Sequence, residues 1–215
     1  MSTPPAHPKI YHITHMDNLA AMVAEGGLLS DARMIQRGGP GAPIGMSKIK
    51  QRRLTLPVSC YSGDFVGDYV PFYFCPRSVM LYVLHRGNDL ELTYQGGQAP
   101  IVHLEVDLHT VIAWASQHDV RWAFSLANAG TFYTPFRSSL AQLPDLDWGA
   151  IQAADFRDSD IKEGKQAEFL VHGAFPWQLV SRIGVSSPRF QNLVQTALAS
   201  AAHLPQVVVK PEWYF

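Results

Sequence analysis

The chain has 215 residues, of which 47% are apolar, 16% charged and 11% aromatic, with a formal net charge of −1. This is enough apolar material for one sizeable core, and too little charge with too many rings for a disordered or coiled-coil chain. No apolar run approaches the roughly 20 residues of a membrane span, Met1 to Pro8 has no basic stretch followed by an apolar one, and Cys60 and Cys75 form no Cys-x-x-Cys pair. The expectation is a cytoplasmic protein with reduced thiols.

Lys9 to Thr14 alternates apolar and polar side chains and reads as a strand. A helix follows over Asn18 to Glu25, with Asp17 as its cap and Gly26-Gly27 as its stop. Residues 31 to 57 carry Gly38, Gly39, Pro40, Gly41, Pro43 and Gly45 without a sustained period, which predicts a long irregular connection of the kind that is usually functional. Tyr69 to Phe74 reads as a strand whose Pro71 favours an edge or a bulge. Pro76-Arg77-Ser78 then leads into a short apolar helix over Val79 to Leu84.

Ile101 to Val106 is the clearest alternating strand, and a helix is expected over Leu108 to Ser116. Residues 127 to 165 form a second irregular stretch, with a short helix near Trp148. Gln166 to Val171 reads as a buried strand, Ser181 to Val185 as a short one, and Ser187-Pro188 opens a helix running to about Ala201. Val207 to Val209 and Trp213 to Phe215 end the chain with strand-like segments. No repeat and no linker divides the chain. One α+β domain is expected, built from a strongly twisted pair of mixed sheets with helices at the edges, because strand and helix alternate too irregularly for a doubly wound sheet.

The small net charge hides an asymmetry. Between Ala32 and Gly63 there is no acidic residue, whereas Arg33, Arg37, Lys48, Lys50, Arg52 and Arg53 supply six positive charges. Acid collects in Asp145, Asp147, Asp155, Asp158, Asp160 and Glu163, and the cluster from Asp155 to Glu163 would repel DNA and should point away from it or cap helix starts. A phosphate loop, a His-Glu-x-x-His motif and a Gly-x-Ser-x-Gly elbow are all absent, and the glycines from 38 to 45 do not follow the dinucleotide fingerprint. The nine histidines show no metal-ligand spacing, since His12 and His15 would lie on opposite faces of a continued strand. His12 and Thr14, by contrast, share one face and offer two hydrogen-bonding side chains. Glu168 sits in an apolar strand, where a carboxylate is costly unless paired or used. The plainer reading of Glu168 is a half-exposed strand residue paired with Lys165 or Arg182.

Taken together, Tyr11-His12-Ile13-Thr14-His15 with Asn18-Leu19, Ile49-Lys50-x-Arg52-Arg53, Asp68 to Phe74 with Pro76-Arg77-Ser78-x-Met80-Leu81, Lys165 to Val171, and Trp213-Tyr214-Phe215 resemble the DarT toxins, which are DNA ADP-ribosyltransferases. The resemblance covers the chain from about residue 9 to its end. It departs at Val79, where a proline is expected, and at Lys165, where an arginine is expected. It implies an ADP-ribosyltransferase fold, with NAD as co-substrate, no metal, and single-stranded DNA as acceptor, most naturally at thymidine. It also implies a macrodomain antitoxin of the DarG type as partner.

By the same resemblance Glu168 is the catalytic glutamate, and the catalytic arginine falls in the Arg52-Arg53 pair, with Arg53 preferred. His12, Thr14, Arg52, Arg53, Tyr73, Arg77 and Ser78 would hold NAD. Residues 31 to 53 would cover NAD, and about 127 to 167 would address DNA. There Phe132, Tyr133, Phe136 and Trp148 are candidates for stacking and Arg121 and Arg137 for phosphates, with Tyr133 and Arg137 the two retained. An RNA phosphotransferase or NAD glycohydrolase on a similar fold, and a noncatalytic nucleic-acid-binding module, are the competing expectations.

Overall fold

Alternation makes Lys9–His15 a strand, β1, with Ile10, Tyr11, Ile13 and Thr14 buried. The computed structural model describes residues 3–39 and 41–215; Met1, Ser2 and Pro40, the last in the glycine-rich connection, lie outside the described residues. A 3-10 turn, Met16–Asn18, leads into helix α1 (Leu19–Ala24). The turn is capped by His15, whose Nδ1 accepts the Asp17 N–H, so Asp17 is not the cap.

The connection expected to be irregular over 31 to 57 is partly helical. After strand β2 (Gly27–Leu29), Ser30 accepts the Arg33 N–H and opens helix α2 (Asp31–Gln36), which ends where Gly38 and Gly39 take φ of +90° and +88°. Helix α3 (Ser47–Arg53) follows. Helices this short show no readable period.

Strand β3 (Tyr69–Tyr73), helix α4 (Val79–Arg86), strand β4 (Ile101–Asp107) and helix α5 (Leu108–Gln117) fall where expected. Strand β5 (Trp122–Asn128) was not expected, because its small and polar residues blur the alternation. The stretch expected to be irregular from 127 to 165 holds strand β6 (Phe136–Arg137), a 3-10 segment Leu140–Asp145, and helices α6 (Trp148–Gln152) and α7 (Ser159–Lys165). Within the cluster from 155 to 163, Asp158 caps a helix as expected, accepting the Asp160 and Ile161 N–H groups, and Asp147 before it accepts the Ala150 N–H. Strands β7 (Ala167–His172), β8 (Ala174–Pro176) and β9 (Arg182–Val185), helix α8 (Pro188–Ala197) and strand β10 (Gln206–Val209) complete the order. Helix α8 stops short of Ala201. Trp213 to Phe215 is not a strand, since Pro211–Trp213 forms a 3-10 turn.

The strands assemble as β10-β9-β4-β1-β3-β7-β5-β6, with β2 and β8 as a separate antiparallel pair. Pairing along this sheet is uneven. β1 matches β4 from Lys9↔Asp107 to His15↔Ile101, yet it meets β3 only at Tyr11↔Tyr73. The eight strands are therefore two four-stranded halves joined at one residue pair, with β2 and β8 as a third, smaller sheet. Pro71 is accommodated because its ring nitrogen needs no partner in the gap between β1 and β3. Phe72, Phe124, Trp148, Phe169 and Phe175 pack the main core. No helix among the described residues is long and apolar enough to cross a membrane.

His103 on β4 is fully buried, bonded through Nε2 to the Pro76 carbonyl, and burial pushes its pKa down to about 4. Between pH 6.5 and 4 the unfolded imidazole takes up a proton that the native one refuses, so stability is full above pH 6.5 and falls as pH drops through that window. The expected loss is roughly 3 kcal/mol at its largest. Urea unfolding at pH 7.5 and pH 5, with His103→Asn as the variant whose stability changes less between them, checks this.

Candidate active site

Where β1 and β3 part, a cleft of about 320 Å³ opens, a size suited to a small-molecule site. β1 supplies His12 and Thr14, β3 Pro71 and Tyr73, and β7 Glu168, while Gly39, the loop residues from Gly41 to Met46 and the inner face of α3 form the opposite wall.

His12 sits in the gap itself. Its Nδ1 lies 2.8 Å from the Pro71 carbonyl, which only accepts, so Nδ1 carries the proton. Burial holds the His12 pKa below its ordinary value, against the opposing pull of that carbonyl and of Asp31. The ring is thus neutral at pH 7, and its Nε2 remains an acceptor. Thr14 is buried, and its Oγ1 accepts from Asn18 Nδ2 at 3.1 Å, leaving its hydroxyl proton to donate.

Asn18 does more than support Thr14. Its Nδ2 also donates to the Ala42 carbonyl and its Oδ1 accepts the Ala42 N–H, both at 2.9 Å, fastening the glycine-rich loop across the cleft. In the sequence Asn18 stands out only as a helix residue and as part of the string that carries the family resemblance, and neither shows that it holds this loop.

Glu168 is buried on β7 directly opposite Tyr73. Its two oxygens accept from one guanidinium nitrogen of Arg53, at 3.1 and 3.0 Å, not from Lys165 or Arg182. Lys165 is buried with its Nζ on the Ile151 carbonyl, and Arg182 is paired with Glu105. Beside Glu168, β5 breaks register between Phe124 and Asn128. The Ser125 hydroxyl there accepts the Glu168 N–H at 2.9 Å, replacing a ladder bond and fixing the carboxylate's base. Tyr73 faces the same pair. Burial and then the Glu168 charge push its phenol well above the usual range, so it stays a hydrogen-bond donor.

Arg53 is itself buried, with Nε 3.7 Å from Asp31 Oδ2 and with Nη2 lacking a hydrogen-bond partner among the described residues. Lys50 also reaches Asp31, at 3.5 Å. Two cations and two carboxylates therefore meet in the cleft, and Asp31 joins the site residues that sequence reasoning missed.

Three of the residues expected to hold NAD lie outside the cleft. Successive helical residues point about 100° apart, so Arg52 does not share the cleft with Arg53; its guanidinium lies close to Gly130, in the loop after β5. Ser78 is fully buried as the cap of α4, accepting the Leu81 N–H. Arg77 leaves the cleft because the chain turns at Pro76, and its guanidinium lies over the Phe215 ring at 4.4 Å. Arg137, expected at the DNA, is paired with Asp145 at 2.6 Å. Phe136 and Trp148 are core residues, and Arg121 is paired with Asp64. Tyr133 and Phe132, by contrast, are 96% and 75% exposed.

The profile of the family described as "ssDNA thymidine ADP-ribosyltransferase, DarT" matches residues 11–215. A DNA ADP-ribosyl transferase of Thermus sp. (strain 2.9) is 38% identical over 216 residues, covering 99% of each chain. The solved Thermus sp. 2.9 DarT in complex with ADP-ribosylated single-stranded DNA superposes with a TM-score of 0.89 at 36% identity, over 100% of this chain and 99% of that one. The same Thermus protein in complex with NAD+ gives 0.83 at 35%, over 99% and 100%.

Proposed function

The chain belongs to the DarT family of single-stranded-DNA thymidine ADP-ribosyltransferases, and we propose that its cleft transfers ADP-ribose from NAD to a thymine of single-stranded DNA, releasing nicotinamide. The observation that carries this reading is the buried Glu168–Arg53 pair at the split of the sheet, with one guanidinium nitrogen left without a partner among the described residues. A buried polar group of that kind is completed by a ligand acceptor, and a pyrophosphate or ribose oxygen of NAD has the right chemistry.

The residues present suit the co-substrate. His12 Nε2 offers an acceptor and Thr14 a donor side by side, Asn18 fastens the loop within residues 31 to 53 that covers them, and Tyr73 offers a phenol. When the bond from ribose to nicotinamide breaks, the electron pair leaves with nicotinamide and the sugar carbon becomes positive, as in glycoside cleavage. Glu168 places fixed negative charge against that cation, in a closed site where preorganised charge acts most strongly. The thymine ring nitrogen then forms the new bond and must lose its proton. Glu168 is the general base within the cleft, and the adjoining Arg53 balances its charge.

A paired thymine has this nitrogen occupied, so the acceptor is unstacked and single-stranded. The 127 to 167 segment addresses it, with Tyr133 and Phe132 offering exposed rings and Arg52 an exposed cation beside Gly130. Left unopposed such an activity is toxic, and the partner we infer is a macrodomain antitoxin of the DarG type.

The test is to incubate the protein with NAD and single-stranded oligonucleotides differing at one base, then weigh the products. One ADP-ribose per oligonucleotide, dependent on thymine and matched by free nicotinamide, is expected. Nicotinamide without added mass would make the protein an NAD glycohydrolase.

A further inference from the structure

Two carboxylates compete for Arg53, and the sharing is uneven. A guanidinium meets a carboxylate most strongly as a fork, with two parallel N–H groups on two oxygens. Glu168 is not held that way. Both of its oxygens accept from Nη1 alone, at 3.1 and 3.0 Å, while Nη2, on the same guanidinium carbon, is buried without a hydrogen-bond partner among the described residues. The opposing pull comes from Asp31, whose Oδ2 stands 3.7 Å from Arg53 Nε.

Asp31 is firmly placed. It opens helix α2 behind the Ser30 cap, and the Ser30 N–H donates to the Gly173 carbonyl at 2.9 Å. Gly173 directly follows β7, so the two carboxylates that flank Arg53 are both referred to one strand. The second oxygen of Asp31, Oδ1, lies 3.5 Å from Lys50 Nζ. The Lys50 stem reaches it by running close under Gly45, where a Cβ would come within 2.9 Å of Cε. Lys50 thus engages Oδ1 and leaves Oδ2 turned to Arg53.

Resting on the reading above, we propose that Asp31 is a positioning residue for the transfer. By drawing Nε toward itself it keeps Arg53 from closing a fork on Glu168, which leaves Nη2 open to an oxygen of NAD and the carboxylate open to the thymine proton. Without Asp31 the guanidinium turns until Nη1 and Nη2 both face Glu168, and the ion pair satisfies itself in place of the substrate.

Asp31→Asn keeps the side-chain shape and the Ser30 cap, so helix α2 stays in place. Titration calorimetry with NAD on wild type, D31N, R53K and D31N/R53K is the experiment. D31N should raise the NAD Kd about tenfold or more, the effect of one lost charge-assisted hydrogen bond. The sign is diagnostic, since a carboxylate acting by its charge alone repels the pyrophosphate and its removal would tighten binding. In the R53K background, where no fork can form, D31N should change the Kd less than about twofold. D31E, which restores the charge, should recover most of the lost affinity, and D31N should modify an oligonucleotide with a lowered kcat and an unchanged oligonucleotide KM. Unchanged or tighter NAD binding by D31N overturns the proposal. So does an equal loss in both backgrounds, which would make Asp31 a direct ligand or a structural strut. Wild-type protein that takes up no NAD would overturn the underlying reading, and the wild-type titration shows that by itself.

Discussion

A Glu168→Gln protein is expected to modify DNA at least about a thousandfold more slowly than wild type while still binding NAD within about tenfold. The carboxylate is buried and touches Arg53 through both oxygens, so its charge is fixed in place before any substrate arrives. Glutamine preserves the shape and one acceptor but removes the negative charge facing the sugar cation, and it cannot take the thymine proton. Both losses fall on the transition state, so kcat should collapse with little change in the KM for NAD. The substitution also leaves Arg53 with Asp31 alone as counter-charge, at 3.7 Å. A few kcal/mol of stability is therefore at risk, and thermal unfolding must accompany the kinetics. A folded Glu168→Gln protein that kept more than a tenth of the wild-type rate would remove this carboxylate from the chemistry.

Glu168 was legible in the sequence because a lone carboxylate in an apolar strand demands a reason. β1, β4 and β7 were legible for the related reason that they alternate or run apolar over six or seven residues. What stayed hidden depends on neighbours remote along the chain. β2 and β8 are three residues each and exist by pairing with one another, Gly27 to Pro176. Ser125 matters only because β5 breaks register beside Glu168, and Asn18 only because Ala42 comes back to it.

Arg77 was misplaced for a different reason. It follows Tyr73 closely in sequence, but between them the chain leaves the sheet and turns at Pro76, so adjacency along the string did not become adjacency in the cleft. The expected pair of small sheets was close in spirit, since one residue pair joins two four-stranded halves. No sequence pattern shows that they meet at Tyr11 and Tyr73.

The choice between Arg52 and Arg53 turns on helix geometry, and Arg53→Lys is the substitution that tests it. Arg53 spans two carboxylates with different nitrogens, Nη1 toward Glu168 and Nε toward Asp31, and keeps Nη2 for a third partner. Lysine keeps the charge but brings one compact nitrogen, which cannot hold both acids and a substrate oxygen at once. Loss of one charge-assisted hydrogen bond is worth about 1.5–3 kcal/mol, so the Kd for NAD by calorimetry should rise roughly 10- to 150-fold. The paired experiment is Arg52→Lys, whose exposed side chain lies beside Gly130 and should leave NAD affinity as it was. If Arg52→Lys weakened NAD and Arg53→Lys did not, the buried pair would be a structural strut and the dinucleotide would have to lie on the other face of α3.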